Sequence, residues 1–337
     1  MAGDVFSYVL PLTADRPQVG SEFVAYLRNV ASRADVIVVD GSSQEVFAAH
    51  SRCWGPWVRH AAPEWWTPNG KVGNVLTGLR LARHDRVVIA DDDVRYGPEL
   101  ETLVACLDQA DVVRPQNYFD PLPWHAAWDS GRILLNRITG GDWPGTLAVR
   151  RHVVLGVGGY AGDVLFENYE LAQTVVAAGG RHLWAPEIFV RRLPPGARHF
   201  WSQRVRQAYD ELARPRRLVA FLSLLPAMLS LFARSRRAAG WTVVAGALGV
   251  VTAAELGRRS RGGRRVFPAR CSLAAPLWVL ERAVCSWLAL AARARGGVKY
   301  RGRRFRRAAL TSRQRRRAVA DRPPAPWPLG VAVVIVG

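Results

Sequence analysis

Short apolar runs alternate with amphipathic stretches along the first part of the chain. The segments "VFSYVL" (5–10), "DVIVVD" (35–40) and "RVVIAD" (86–91) are apolar runs of strand length. Between them, residues 19–32 place Phe23, Leu27 and Val30 at helical spacing, and residues 71–84 do so with Val72, Val75, Leu76 and Leu79. Strands that are apolar on both faces and separated by helices predict an α/β fold with a largely parallel sheet covered on both sides. Ligands of such sheets bind beyond the carboxyl ends of the strands. Asp40 and Asp91 stand at two of those ends. Residues 98–107 and 165–180 read as further helices, the first opened by Pro98. Residues 114–129 and 141–151 follow no clean period.

After Pro215 the pattern changes. Runs 218–233 and 241–256 carry no charge before Glu255, and 273–292 is of similar character but holds Glu281 and Arg282. A membrane-spanning helix needs about 20 apolar residues. Arginine clusters at 214–217, 234–237 and 258–265 flank the runs, which favours membrane association over a buried core hairpin. Two or three spanning or re-entrant helices are expected, with interfacial helices as the alternative. Just before them, 198–217 is a basic amphipathic segment suited to the interface. The expected organisation is therefore 1–215 as an α/β domain, 216–295 as hydrophobic helices, and 296–337 as a basic tail with a Pro-rich end.

Charge sharpens this division. The 337 residues carry a formal net charge of +20. Residues 1–200 hold 19 Lys and Arg against 22 Asp and Glu, whereas 201–337 hold 28 against 5. Such asymmetry points to a polyanionic partner. Basic segments beside hydrophobic helices favour an anionic membrane surface, and nucleic acid is not expected. Lys71 and Lys299 are the only lysines. The four cysteines form no C-x-x-C pair, so neither a disulfide framework nor a zinc finger is expected, and a reducing compartment fits. The opening "MAGDVFSYVLP" lacks the basic-then-apolar pattern of a signal peptide.

The stretch "IADDDVRY" (89–96) offers chemistry. Side chains alternate along an extended segment, so Asp91 and Asp93 make a pair and Asp92 turns elsewhere. Two hard oxygen donors suit Mg²⁺ or Mn²⁺, which would offset their repulsion and neutralise a diphosphate. The plainer alternative is a solvated acidic turn.

The ordered series "VIVVDGSS", "GKVGNVLTGLRLA", "IADDDVRY", "PGTLAVRR", "FENYEL", "QRVRQ" and "YRGRRF" lies within residues 5–310. It resembles the family 2 glycosyltransferases of GT-A (Rossmann-like) fold, especially the membrane-bound ceramide glucosyltransferase-like branch. The resemblance implies that Asp40 binds the nucleotide base, with Lys71 and Asn74 near the nucleotide and its diphosphate. Asp91 and Asp93 match the D-x-D that holds Mg²⁺ or Mn²⁺ and the sugar-nucleotide. Gly145 and Thr146 fall on the acceptor side.

Where the family has Glu-Asp, this chain has Glu167 and Asn168. An amide cannot take a proton, so Glu167 is the expected base and Glu170 the alternative. Gln203, Arg204 and Arg206 match a segment that closes over the diphosphate, a role suited to guanidinium groups. Gln207 replaces a Trp of that segment, and Trp201 is the candidate substitute for acceptor stacking. His199, beside it, is the most notable of seven scattered histidines.

The function implied is an inverting glycosyltransferase. It would move a sugar from a nucleotide-diphosphate sugar to a lipid acceptor at the cell membrane, with the catalytic part on the cytoplasmic face. The alternatives are a polysaccharide synthase of the same fold, or a non-catalytic membrane-associated protein that binds nucleotide-sugar or polyanion.

Overall fold

The computed structural model describes residues 6–140 and 142–321. The Pro-rich stretch 322–330 and the apolar end after it lie outside the described residues. The apolar runs form strands as their pattern requires. In chain order the elements of the first half are β1 (Ser7–Leu12), α1 (Ser21–Ala31), β2 (Asp35–Asp40), α2 (Gln44–Trp54), β3 (Arg59–Ala61) and α3 (Gly70–Leu81). They continue with β4 (Arg86–Ala90), β5 (Val94–Arg95), α4 (Glu99–Ala105), β6 (Val112–Phe119), α5 (Trp124–Thr139), β7 (Thr146–Arg150), α6 (Arg151–Gly156), α7 (Glu167–Ala177) and β8 (His182–Arg192). The eight strands make one mixed sheet of order β3-β2-β1-β4-β7-β6-β8-β5.

Strands β3, β2, β1 and β4 are mutually parallel, and β7 is antiparallel to both β4 and β6. Every residue of β1 and β2 is buried, which explains why they lack alternation. β1 runs through Pro11 to Leu12, which lies opposite Asp40. Helix α1 buries Phe23, Leu27 and Val30 as its spacing predicts. Helix α3 lies so close to β1 that a methyl group at Gly78 would overlap Val9.

The irregular segment 114–129 runs into α5, and the irregularity has a physical reason. The buried face of α5 sets Asp129, Ser130, Asn136 and Arg137 among Ala126, Ile133 and Leu134, so burial there is only partly written in apolar residues.

The C-terminal part holds α8 (Ala197–Ser202), α9 (Arg204–Tyr209), α10 (Pro215–Arg234), α11 (Arg236–Arg259), α12 (Ala269–Ala294), β9 (Val298–Tyr300), β10 (Arg303–Phe305) and α13 (Ser312–Asp321). Arg301 and Gly302 both take positive φ between β9 and β10, the conformation a two-residue hairpin turn demands. By contact, the chain forms two compact units. Among the described residues, one comprises 6–115, Pro144–Ile188 and 310–321; the other comprises 116–140, 142–143 and Phe189–Ala309.

The second unit is helical. α5 packs on α12 where Gly131 meets the backbone of Ala275, and on α11 where Gly257 meets Leu134. Small residues permit that closeness. Three of its helices are long and apolar enough to cross a membrane: Pro215–Arg234, the helical stretch Arg236–Arg265, and Ala269–Ala294. None of the residues of α10 is buried, and Leu229, Phe232, Trp241, Leu248 and Leu273 stand exposed.

In the first unit, α13 is pinned to α7. Arg315 donates to both oxygens of Glu170 at 2.8 and 2.9 Å, and the Leu310 amide donates to the same carboxylate at 2.8 Å. Both side chains are buried. Removing one partner strands the other charge. Arg315→Ala is therefore expected to cost about 3–5 kcal/mol. The cost should appear as a lowered thermal midpoint of the detergent-solubilised chain; an unchanged midpoint would refute it.

Candidate functional site

The carboxyl ends of β2 and β4, with the start of α3, gather the acidic and basic groups of the first unit. The triplet after β4 forms a turn. The Val94 amide donates to Asp91 O at 3.1 Å, and the Asp91 amide donates to Gly145 O at 2.9 Å. Arg95 braces this turn from behind. It donates to Asp92 O at 2.7 Å and grips both oxygens of Glu22 at 2.8 and 3.0 Å. Asp92 faces Gln18, whose Nε2 donates to it at 3.3 Å.

Asp91 meets Lys71, the second residue of α3. Lys71 Nζ lies 2.5 Å from Asp91 Oδ1 and 2.9 Å from Glu167 Oε1, the first residue of α7. Three positions distant in sequence thus form one acid–base–acid bridge. Burial pulls the ammonium pKa down, but Asp91 and Glu167 outweigh it and hold the value well above the ordinary lysine range. Tyr160 is buried beside the bridge; burial first, then the charge of Glu167, keeps its phenol protonated.

Asp91 and Asp93 are both partly exposed and bring hard carboxylate oxygens to a turn. That donor set fits Mg²⁺ or Mn²⁺, and a positively charged group already sits against Asp91.

Asp40 is placed differently from an open strand end. It is 1% exposed, and both oxygens are engaged. Oδ1 accepts from the Ser42 amide at 2.9 Å; Oδ2 meets His50 Nδ1 at 2.6 Å and His60 Nε2 at 3.1 Å. The Gln18 amide donates to His50 Nε2 at 2.8 Å. The proton of that ring therefore sits on Nδ1 and points to Asp40. Asp40, His50 and His60 bring their ligand atoms within 4.8 Å of one another, the spacing of a metal site. In this tautomer, however, His50 Nδ1 is a donor to carboxylate rather than a metal ligand.

Burial raises the Asp40 pKa, but His60, His50 and Ser42 together take it well below the ordinary carboxylate range. A depressed folded pKa gives stability that is present above the unfolded value, about 4. It is lost as pH falls through the folded one. His50→Ala is expected to cost about 1.5–3 kcal/mol near neutral pH and to flatten the acid side of the stability–pH curve. Thermal melts across pH test this; an unchanged acid limb would contradict it.

Other expected site residues serve the frame. Asn74 donates to Leu12 O at 2.8 Å and Val39 O at 3.2 Å, tying the ends of β1 and β2 together. Thr146 is 1% exposed and bonds Ile89 O and the Tyr96 hydroxyl, each at 2.7 Å, so it faces the sheet rather than an acceptor. Gly145 gives its carbonyl to Asp91. Asn168 donates to Pro144 O at 2.9 Å and holds the loop leading to Gly145. Glu170 is committed to Arg315, which leaves Glu167 as the partly exposed acid of this helix start.

The "QRVRQ" segment belongs to the helical unit. Arg204 is 3% exposed and pairs with Asp129 at 3.1 Å and Glu281 at 3.4 Å. It is a packing cation rather than an open one. Arg206 is partly exposed, donates to Gln203 Oε1 at 2.5 Å and lies 4.8 Å from the Tyr300 ring centre. Gln203 also meets His199. Trp201 is 48% exposed and packs with Trp124, Trp128 and Phe200, so it offers an aromatic face to solvent.

No protein-family model matches this sequence, and no curated protein matches it. Among solved structures, the chain is similar to the mannosyltransferase PcManGT from Pyrobaculum calidifontis, described in complex with GDP-Man and Mn²⁺. The identity is 18%, over 84% of this chain and 87% of that one, with a TM-score of 0.49. A mycobacterial protein is similar at 22% identity, over 59% of this chain and 70% of its own, with a TM-score of 0.41. S. aureus TarS is similar at 14% identity, over 61% of this chain and 39% of its own, with a TM-score of 0.38.

Proposed function

We propose that this chain is a membrane-associated glycosyltransferase. It moves a sugar from a nucleotide-diphosphate sugar to a lipid acceptor with inversion at the anomeric carbon. The observation that carries this reading is the bridge Asp91–Lys71–Glu167 beside Asp93, at the strand ends where α/β sheets bind ligands. The ordered motifs of the sequence support the same reading.

Each residue has a role that follows from its place. Lys71, at the N-terminus of α3, offers an ammonium and a helix end to a diphosphate. As Lys71 turns to the phosphates, Glu167 loses its ion-pair partner and becomes free to accept the acceptor hydroxyl proton. Attack then comes from the face opposite the departing diphosphate, which inverts the anomeric centre. Asp91 and Asp93 would hold Mg²⁺ or Mn²⁺, which supplies charge neutralisation for the leaving group. Arg206 and Trp201 remain candidates for anionic and acceptor contacts; Arg204 acts within the helical packing. Asp40 holds its strand end through His50 and His60, whose ring nitrogens are all engaged within the frame.

The lipid acceptor is supported by the three long apolar helices, and a cytoplasmic catalytic face by where nucleotide-sugars are made. A screen of nucleotide-sugars against a lipid extract, with products identified by mass, tests the reading. The expected result is a metal-dependent, lipid-soluble glycoside from one donor. Absence of turnover with every donor, in the presence of Mg²⁺ and Mn²⁺, would overturn it.

A further inference from the structure

The three long helices differ in how they meet the rest of the protein. α10 buries none of its residues, and α11 buries only Ala239 near its start and Ala254 and Gly257 near its end. α12 is built the opposite way from a helix facing water. Ser272, Glu281, Arg282 and Ser286 are buried in it, whereas Leu273, Leu277, Leu280, Val284, Trp287 and Leu288 stand exposed. Those exposed positions lie at steps of three and four, so they make one apolar stripe along the helix.

The outer ends of α10 and α11 are fixed at one place on α5. Arg217, near the start of α10, donates to Asn136 Oδ1 at 2.8 Å. Gly257, near the end of α11, lies against the Leu134 backbone, and its carbonyl accepts from Arg137 Nε at 3.1 Å. The two helices thus leave α5 and return to it as a hairpin, closed at Ser235. At 1.5 Å per residue, the 20 residues of α10 and the 24 of α11 extend about 30 and about 36 Å. The hydrocarbon layer of a bilayer is about 30 Å thick.

α12 is held back from such a crossing. Glu281 and Arg282 stand near its midpoint, and Glu281 meets Trp128 Nε1 at 3.3 Å and Arg204 at 3.4 Å. Arg204 pairs in turn with Asp129 of α5, and Gly131 of α5 packs on the backbone of Ala275. Carrying α12 to the centre of a bilayer would take this group of charges with it, which membrane helices avoid. Connectivity leads to the same count. Residues 6–115 and 310–321 precede and follow the helices yet belong to one folded unit, clasped by Arg315 on Glu170. A folded unit lies on one face of a membrane, so the crossings between its two parts are even in number. Three helices of spanning length therefore cannot all span.

We infer that α10 and α11 cross the bilayer as a helical hairpin, and that α12 lies in the near membrane surface with its exposed stripe on the lipid chains. The inference rests on the membrane association proposed above and gives it a topology. Lipid is the occupant of the stripe because the stripe continues the hairpin. Phe221 of α10 meets Trp278 of α12 edge-on at 5.7 Å, and Trp287 Nε1 donates to Leu222 O at 3.2 Å. Arg270 at one end of α12, and Arg293 and Arg295 at the other, suit anionic headgroups. Eight arginines flank the base of the hairpin in 214–217 and 258–265, against three at its tip in 234–237. That bias keeps the base on the cytoplasmic side.

The full chain in sealed vesicles of phosphatidylcholine and phosphatidylglycerol tests this. Cys53→Ser and Cys106→Ser give the background, since Cys271 and Cys285 are buried. A membrane-impermeant maleimide is added before and after detergent, and labels per chain are read by intact mass. The pair Ser235→Cys with Ser312→Cys should carry one label per chain before detergent, whichever way the chain faces, and two after it. The pair Arg264→Cys with Arg295→Cys, at the two ends of α12, should carry two labels or none before detergent, never one. Spin labels at Leu273→Cys, Leu280→Cys and Leu288→Cys should all report one shallow depth from the balance of oxygen and water-soluble nickel accessibility. Melting midpoints check each fold, and Arg234→Cys replaces Ser235→Cys if the latter lowers the midpoint.

Two labels or none on the hairpin pair would put the tip on the near face and remove the crossing. One label on the α12 pair, or a depth maximum at Leu280, would make α12 a crossing helix. Positions on the stripe reached by neither oxygen nor nickel would mean that a second protein chain covers it, and positions reached by nickel alone would mean water. A chain that failed to float with the vesicles would overturn the membrane association itself and this topology with it, while sugar transfer would stand or fall by the donor screen.

Discussion

Glu167→Gln is expected to lower sugar transfer by about 10²–10⁴-fold, the usual worth of a positioned general base. The fold should be unaffected. Glu167 is partly exposed, and the amide oxygen of glutamine can still accept from Lys71. Donor affinity should change little, because the lost group acts on the acceptor hydroxyl. Glu170→Gln provides the contrast. That side chain is fully buried under Arg315 and the Leu310 amide, so its replacement is expected to lower the melting midpoint. Kinetics and melts on both variants separate the two acids. Full activity in Glu167→Gln would show that another group takes the proton.

Lys71→Met is expected to have the second large effect, about 10²–10³-fold on turnover, as for loss of one charged group that stabilises a leaving anion. It also removes the cation between Asp91 and Glu167, and two carboxylates are then left facing each other. One of them should hold its proton to higher pH, so the acid limb of the rate profile should move upward. The sign for stability is opposite to that of Asp40. The folded pKa of Lys71 is raised, so its contribution is complete below the ordinary lysine range and fades only as pH rises above it. The melting midpoint near neutral pH should therefore fall in Lys71→Met. An unmoved rate profile would mean that the bridge does not belong to the chemistry.

The strands were legible in the sequence because burial there is apolar, and the three long helices because each carries an apolar run of membrane-crossing length. Unbroken runs gave β2 and β4, and spacing gave the buried face of α1. The cluster Lys71–Asp91–Glu167 was legible only as separate residues, because its members lie on different elements and nothing in local spacing joins them. Elements that bury polar groups were not legible. Helix α5 hides Asp129 and Arg137 beside Ile133 and Leu134, and α2 hides His50 between Val46 and Trp54, so their buried faces are only partly written in apolar residues. Long-range ion pairs were equally invisible. Arg315 reads as one of many tail arginines, yet it closes on Glu170 from 145 positions away.

The site residues divide for the same reason. A residue type suited to chemistry is also suited to holding a frame, and only geometry separates the two uses. Asn74, Thr146, Glu170 and Arg204 are bound into their surroundings, whereas Lys71, Asp91, Asp93 and Glu167 keep partial exposure.

Nucleotide-sugar turnover by the chain in lipid vesicles, measured with and without Mn²⁺ for the native sequence and for the double variant Asp91→Asn with Asp93→Asn, tests the central claim most directly. The native chain should release nucleoside diphosphate and form a glycosylated lipid only with the ion. The double variant should fall by on the order of 10³-fold while keeping its melting midpoint within a few degrees. Turnover in the double variant equal to that of the native chain would contradict the account.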